Sequence, residues 1–190
     1  MYKMIKTSTL PKFCKKINSI DEINNYFTAN LTNKYNRVRI IGDIHGCYTA
    51  LQQAITPWDE KTLYIFCGDY LERGIENKEM MYEMMRLSTL PNTIMLEGNH
   101  ERHIANFAFH TNLDRSKRFM KDVVAPIVKD MTKKDVESLQ RELRLFYKSL
   151  RQCYPFSFHG KKYLVSHGGL SYVPNMTFIA TSTFINGFGA

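Results

Sequence analysis

Four apolar stretches of the chain each end in a short cluster that combines glycine with polar side chains. The stretches and their clusters read RVRIIGDIHG, TLYIFCGDYLERG, TIMLEGNHE and KKYLVSHGG. Short apolar runs rich in β-branched and aromatic residues and bounded by glycine are typical of strands. Because helix-like segments follow the first three, the pattern predicts an α/β domain with a partly parallel sheet. Ligands bind beyond the carboxyl ends of such strands, so we expect the four clusters to form one site.

The remaining periodicity predicts helices between and after these strands. A helix over about 48–55 ends before Pro57, a methionine-rich face spans 80–87, and a helix continues over 101–110. The charged stretch from 114 to about 151 is interpreted as two helices hinged near 129–132. We expect residues 1–36 to be a lead-in with a short helix capped by Asp21. Residues 37–190 then form one domain with a helical insert at about 113–152.

The net charge of +8 is unevenly distributed along the chain. Residues 1–37 carry +5, residues 38–112 carry −4, residues 113–162 carry +7, and residues 163–190 carry no Lys, Arg, Asp or Glu. An acidic centre between basic segments could hold cations and attract anions. The basic insert is interpreted mainly as a solvated helix face, with attraction of nucleic acid or phosphorylated polymers as the alternative.

Composition excludes several classes of protein. No apolar stretch reaches the ~20 residues of a membrane span, so we expect no membrane association. The four cysteines are irregularly spaced and form no C-x-x-C pair, which argues against a disulfide framework or zinc knuckle and favours a reducing cytoplasm. Of these, Cys47 and Cys67 are expected to fill small core spaces near the site, whereas His103 and His110 are expected on the surface and His159 in a hairpin turn.

The polar residues of the four clusters are metal ligands by type. Asp supplies a hard anionic oxygen, His a neutral nitrogen and Asn a carbonyl oxygen. Such a mixture suits Mn²⁺, Fe or Zn²⁺ better than the all-oxygen shell of Ca²⁺. The neighbouring glycines allow tight turns and let a bulky anion approach the backbone.

In this order the clusters resemble the signature of calcineurin-like metallophosphoesterases of the phosphoprotein-phosphatase type. The motifs G-D-x-H-G, G-D-x-x-x-R-G, G-N-H-E and H-G-G fall within about Arg37 to Ser171. The sequence Gly168-Gly-Leu-Ser171 is similar to serine/threonine phosphatases, and the motif variants are similar to bacterial and phage members. The resemblance implies a layered α/β/β/α sandwich and two divalent metal ions, which could be Mn, Fe or Zn.

The resemblance also implies a role for each matching residue. Asp69 would bridge two metal ions, and Arg73 and His100 would act on the phosphate. Arg73 would bind phosphate oxygens and His100 would donate a proton to the leaving group, with Asn99 also lying near the substrate. The first metal would be bound by Asp43 and His45 and the second by Asn99 and His167.

Two departures from the family pattern lead to further expectations. Glu72 stands where the family usually has Asp, and we expect it to orient His100 through one additional methylene. The family also has a further His, and often an Arg, downstream of H-G-G. In this chain no His follows His167 and no Arg follows Arg151, so an expected ligand of the second metal is missing. We therefore expect the chain to stop inside the fold, without the strands that would cover Phe178, Phe184 and Ile185.

The function expected from these residues is metal-dependent hydrolysis of phosphomonoesters, above all phosphoserine and phosphothreonine in proteins. Two alternatives stay open. The same site could act on nucleotide polyphosphates or nucleic-acid ends, as the basic insert and the phage-type motifs suggest. The chain could also be a non-catalytic module that binds metal or phosphate. The oligomeric state is left open.

Overall fold

A computed structural model of the protein describes residues 29–169 and 181–187. Its first sheet has three parallel strands in the order β1-β2-β3, with β1 at Arg37–Ile41, β2 at Thr62–Phe66 and β3 at Thr93–Met95. All five residues of the central strand β2 are buried. A parallel strand covered on both faces is a continuous apolar run, which is what the sequence TLYIF shows.

Helices connect the strands and a hairpin follows them. The first three strands are each followed by a helix, as the sequence predicts. The insert contains two helical segments separated at residues 129–132, also as predicted. In chain order the other elements are α1 (Tyr48–Ile55), α2 (Asn77–Leu87), α3 (Glu101–Phe109), a 3₁₀ turn (Leu113–Ser116), α4 (Lys117–Phe119), a π-helical turn (Met120–Val124), α5 (Ala125–Val128), α6 (Lys133–Ser149), β4 (Cys153–Phe158), β5 (Lys161–Ser166) and α7 (Thr181–Asn186).

The two faces of β2 belong to two separate core clusters. Tyr64 and Phe66 pack with the helices and their buried methionines. Leu63 and Ile65 pack on the other side with Phe156 of the antiparallel β4–β5 hairpin. The described residues therefore form a helical layer, a parallel sheet and a second small sheet. The predicted α/β class is confirmed.

Packing at the two ends of the described chain refines the expectations. Leu31 and Tyr35 are buried in the second core cluster, so packed structure begins before β1. The helix expected after Asp21 lies outside the described residues, as does Phe178. Phe184 of α7 is buried, and its carbonyl accepts a 2.7 Å hydrogen bond from the Gly168 N–H. The expectation that Phe184 lacks cover is wrong, because only 6% of the residue is exposed.

Helix α6 carries the buried face of the insert. Its residues Leu139, Leu143 and Phe146 enter the core, and the helix packs along α3. Thr132 begins the helix with a capping box: its hydroxyl accepts from the Asp135 N–H at 3.3 Å, and its own N–H donates to the Asp135 carboxylate at 3.1 Å. None of the helices in residues 29–169 and 181–187 is long and apolar enough to cross a membrane.

Removing this cap should destabilise the insert modestly. We expect Thr132→Ala to cost about 1 kcal/mol, since a helix N–H loses its acceptor. For a domain of this size the melting temperature should fall by about 2–4 °C. Calorimetry of Thr132→Ala beside Thr132→Ser measures this, because serine keeps the hydroxyl. Equal melting temperatures for the two variants would show that the cap contributes nothing.

Candidate active site

The four polar clusters meet at the carboxyl ends of β1, β2 and β3. Asp69 follows β2, and each of its two carboxylate oxygens lies near a different histidine. The Nε2 atom of His45 is 3.5 Å from Oδ2 of Asp69, and Nε2 of His167 is 3.6 Å from Oδ1 of the same carboxylate. Asp43 is 3.7 Å from His45 and 3.8 Å from His167, measured from its two carboxylate oxygens. The structure thus brings these four predicted residues together.

Asn99, the fifth predicted metal ligand, faces the same space. Its side-chain oxygen is 3.1 Å from Nε2 of His167, and turning the amide over would let its nitrogen donate to Asp69 and His167. The Asn99 oxygen therefore faces only acceptor atoms in its present orientation. A cation between these acceptors would remove the conflict, because it attracts all three lone-pair donors.

Backbone hydrogen bonds between loops hold the clusters in register. The carbonyl of Asp69 accepts from the N–H groups of Ile44 at 3.1 Å and His45 at 2.9 Å. The N–H of Gly46 donates to the Tyr70 carbonyl at 2.8 Å. These bonds fasten the loop after β1 to the loop after β2, so the ligand atoms from both loops keep a fixed spacing.

Several site residues adopt left-handed backbone conformations. His45, Asp69, Glu72 and Arg73 have φ between 47° and 75°. Each such conformation costs a non-glycine residue about 1–2 kcal/mol and persists only where the surroundings enforce it. Gly68 has φ 106°, and a Cβ there would collide with the backbone of Gly98. Only glycine lets the loops after β2 and β3 approach this closely.

The side chain of Glu101 holds the loops after β2 and β3 together, a role that the sequence alone did not reveal. Its side chain is fully buried and accepts from the N–H groups of Asp69 at 2.8 Å, Tyr70 at 3.0 Å and Gly98 at 2.6 Å. Burial raises the pKa of Glu101 to about 7, against the lowering effect of these donors. The sequence shows an acidic residue at the first position of α3, but the three N–H groups that it binds are brought to it only by the fold.

The predicted proton donor His100 lies beside Asp69, and the predicted phosphate ligand Arg73 lies beside His100. The Nε2 atom of His100 is 3.9 Å from the Asp69 carboxylate and 3.3 Å from Nη2 of Arg73. Its Nδ1 atom is hydrogen-bonded to the Glu72 carboxylate. Asn77 fixes the Glu72 loop, because it accepts from the Glu72 N–H at 2.8 Å and donates to the Gly74 carbonyl at 2.7 Å. Arg73 is exposed.

Some residues near the site differ from expectation. His103 is half-buried instead of on the surface, and its Nδ1 is 2.8 Å from the Ser116 hydroxyl; burial lowers the pKa of His103. Cys47 is exposed, so its expected place in the core is wrong. Cys67 is partly buried, and burial raises its pKa to about 11. His110 and His159 are exposed, as expected.

The fold and this arrangement agree with the family found by comparison. A sequence profile described as calcineurin-like phosphoesterase matches residues 36–188, and the chain belongs to this family. It is 31% identical over 136 residues to serine/threonine-protein phosphatase 2 of Salmonella typhimurium, covering 70% of this chain and 58% of that protein. It is 32% identical over 136 residues to a symmetrical bis(5'-nucleosyl)-tetraphosphatase of Baumannia cicadellinicola, covering 69% of this chain and 41% of that protein.

A solved structure of a serine/threonine phosphatase from Saccharomyces cerevisiae aligns with a TM-score of 0.48 and 18% identity. The alignment covers 87% of this chain and 56% of that one. The chain spans about half the length of the curated relatives it matches.

The family is metal-dependent, and the residues present fit metal binding. One ligand atom from each of Asp43, Asp69 and His167 lies within 4.8 Å of the others, and the same holds for His45, Asp69 and His100. Nε2 of His45 is buried and has no hydrogen-bond partner within the described residues. A buried imidazole lone pair without a donor is costly, and a bound cation would satisfy it.

Proposed function

We propose that the protein hydrolyses phosphomonoesters with two divalent metal ions, and that phosphoserine and phosphothreonine in proteins are its main substrates. One observation carries the proposal. The two oxygens of Asp69 each face a different histidine, at 3.5 Å from His45 and 3.6 Å from His167. A carboxylate placed in this way can give one oxygen to each of two ions.

The five predicted ligands would be divided between the ions. Asp43 and His45 would hold the first, Asn99 and His167 the second, and Asp69 both. The mixed nitrogen and oxygen donors favour Mn²⁺, Fe or Zn²⁺. When bound, such a pair of ions acidifies a water and neutralises charge on the phosphoryl oxygens.

The chain's own side chains would handle the phosphate and the proton. Arg73 would offer two N–H donors to phosphate oxygens, the geometry in which a guanidinium binds best. His100 would carry a proton on Nε2 to the leaving oxygen, with Glu72 holding the ring through Nδ1. Asn99 would also face the substrate. Because Glu72 reaches His100 directly, its additional methylene is compatible with the orienting role.

Arg73→Lys tests the phosphate-binding role. Lysine keeps the charge but loses the bidentate geometry, so we expect kcat/KM for an aryl phosphate to fall by about 10- to 100-fold. Arg73 is exposed, so the folded state should persist. Arg141→Lys makes the same change at an exposed position of α6 and should leave kinetics unaltered. Equal kcat/KM values for the two variants would contradict a role for Arg73 in phosphate binding.

A second substrate class is supported by the similarity to a bis(5'-nucleosyl)-tetraphosphatase. The same site would then act on nucleotide polyphosphates or nucleic-acid ends, with the basic insert attracting the polyanion. The test compares kcat/KM for a phosphopeptide, a dinucleoside tetraphosphate and a 3′-phosphate oligonucleotide under manganese. The protein-phosphatase proposal predicts the highest value for the phosphopeptide, and a higher value for either nucleotide overturns it.

We also propose a cytoplasmic location. Cys47, Cys67 and Cys153 are free thiols in the described part of the chain, which suits a reducing compartment. Fractionation of cells that express the protein at native levels tests this location.

A further inference from the structure

A second group of metal-ligand types lies beside the Asp69-centred site. One ligand atom from each of Glu72, His100 and His103 lies within 4.8 Å of the other two. The two nitrogens of the His100 ring separate the sites. Nε2 faces Asp69 and Arg73, whereas Nδ1 contacts Glu72. The group is therefore built on the other nitrogen of His100.

His103 is held in the form that a metal ligand needs. Arg102 can only donate, and its Nε is 3.4 Å from Nε2 of His103, so this nitrogen carries the lone pair. The proton then resides on Nδ1, which donates to the Ser116 hydroxyl at 2.8 Å. Asn106 donates to the same hydroxyl at 2.9 Å. A ligating histidine commonly donates its other N–H to such a fixed acceptor.

The ring of His103 is also fixed from its face. It stacks on Phe119 with a centroid distance of 5.8 Å and an angle of 21°. Ser116 and Phe119 are both buried and belong to the start of the helical insert. The insert thus presets the position of His103 beside the Glu72–His100 pair.

We propose that Glu72, His100 and His103 form a separate zinc site. Two imidazole nitrogens and one carboxylate oxygen are a donor set that zinc binds well, with water as a fourth ligand. Zinc would bind Nδ1 of His100, so the proton on that atom would move to Nε2 through solvent. The carboxylate of Glu72 would exchange its hydrogen bond for the metal.

Occupancy of this site should inhibit the enzyme, a consequence that rests on the proposed function. Zinc would bind both His100, the proposed proton donor, and Glu72, which orients it. A zinc-bound neutral imidazole is a weaker acid than imidazolium, so His100 would donate its proton less readily. Zinc in excess over manganese should therefore reduce phosphate release. Zinc binding itself needs no catalytic activity and is tested separately.

The binding test uses zinc alone and the variant His103→Asn. Asparagine places an amide near the former Nδ1 position, so it can bond Ser116, but it removes the ligand atom Nε2. In an Asp69→Asn background, which removes the carboxylate at the centre of the neighbouring site, competition with a chromogenic chelator should show a tightly bound zinc at the Glu72, His100 and His103 group. We expect its affinity to fall at least 10-fold when His103→Asn is added. Adding His159→Asn, an exposed control, should change nothing.

Circular dichroism checks that each variant is folded. If Asp69→Asn unfolds the chain, the same comparison is made in the wild-type background saturated with manganese. Equal zinc affinity in the His103→Asn and His159→Asn chains overturns the site.

The activity test measures the ratio of phosphate release with and without excess zinc in manganese-loaded protein. The wild type should lose most of its activity, and the ratio should rise towards one in His103→Asn. If the ratio in His103→Asn equals that of the wild type, the inhibitory role of this zinc site is overturned. Absence of activity in the manganese-loaded wild type contradicts the proposed function but leaves the binding result standing.

Discussion

Replacing Asp69 by asparagine should lower kcat/KM for manganese-dependent hydrolysis of an aryl phosphate by about 1,000-fold or more. The buried carboxylate of Asp69 has one oxygen 3.5 Å from His45 and the other 3.6 Å from His167, so it can share its oxygens between two ions. Loss of this shared charge removes several kcal/mol of transition-state stabilisation, and each 1.36 kcal/mol is a factor of ten. Phosphate release under saturating manganese measures the effect.

The asparagine variant should still fold. Its side-chain oxygen can keep the 3.0 Å hydrogen bond that the carboxylate accepts from the His100 N–H. Asp130→Asn provides the matched control, because it makes the same change at an exposed position of the insert. Activity that persists in Asp69→Asn would contradict the proposal that Asp69 bridges two metal ions.

Replacing Glu101 by alanine should have the largest effect on stability. Three backbone N–H groups, from Asp69, Tyr70 and Gly98, donate to this one buried carboxylate. An unpaired buried donor costs about 1–3 kcal/mol, so we expect a loss of about 3–5 kcal/mol after partial relaxation. Denaturant unfolding monitored by circular dichroism measures the free energy of unfolding.

Two further variants test whether the loss of stability comes from the charge of Glu101 or from its buried position. Glu101→Gln keeps the shape but turns an amide nitrogen towards backbone donors, so it should lose about 2–3 kcal/mol. Glu79→Gln makes the same change at an exposed position of α2 and should cost less than about 0.5 kcal/mol. A loss below 1 kcal/mol in Glu101→Ala would contradict the role assigned to its carboxylate.

The strands and the meeting of the four clusters could be predicted because both follow from local pattern and topology. Apolar runs ending at Gly42, Gly68 and Gly98 indicate strands, and parallel strands place their carboxyl ends at one edge. The hinge at 129–132 could also be predicted, because the helical pattern is interrupted there. These features depend on neighbouring residues or on general rules of sheet topology.

The support beneath the site could not be predicted, because it depends on contacts between distant loops. Glu101 reaches Asp69 and Tyr70 only after β2 and β3 have paired, and nothing near Glu101 in sequence specifies those partners. His103 meets Ser116 because the insert turns back over α3. The exposure of Cys47 likewise depends on how the loop after β1 is held by Asp69.

That the insert is mainly a solvated helix face stays a prediction. Lys117 and Asp114 form an exposed ion pair at 3.2 Å, and Arg118 and Asp122 another at 3.4 Å. Exposed pairs of this kind contribute little to stability and are screened by salt. Nucleic-acid attraction by this segment stays a prediction, and a steep salt dependence of oligonucleotide binding would support it.

The central claim is that Asp69 joins two metal ions in one site. Equilibrium dialysis against manganese, followed by elemental analysis, counts the ions bound to each folded chain. We predict about two manganese ions per wild-type chain and at least one fewer in Asp69→Asn. One ion or none in the wild type would contradict the two-metal site and favour a non-catalytic module that binds metal or phosphate.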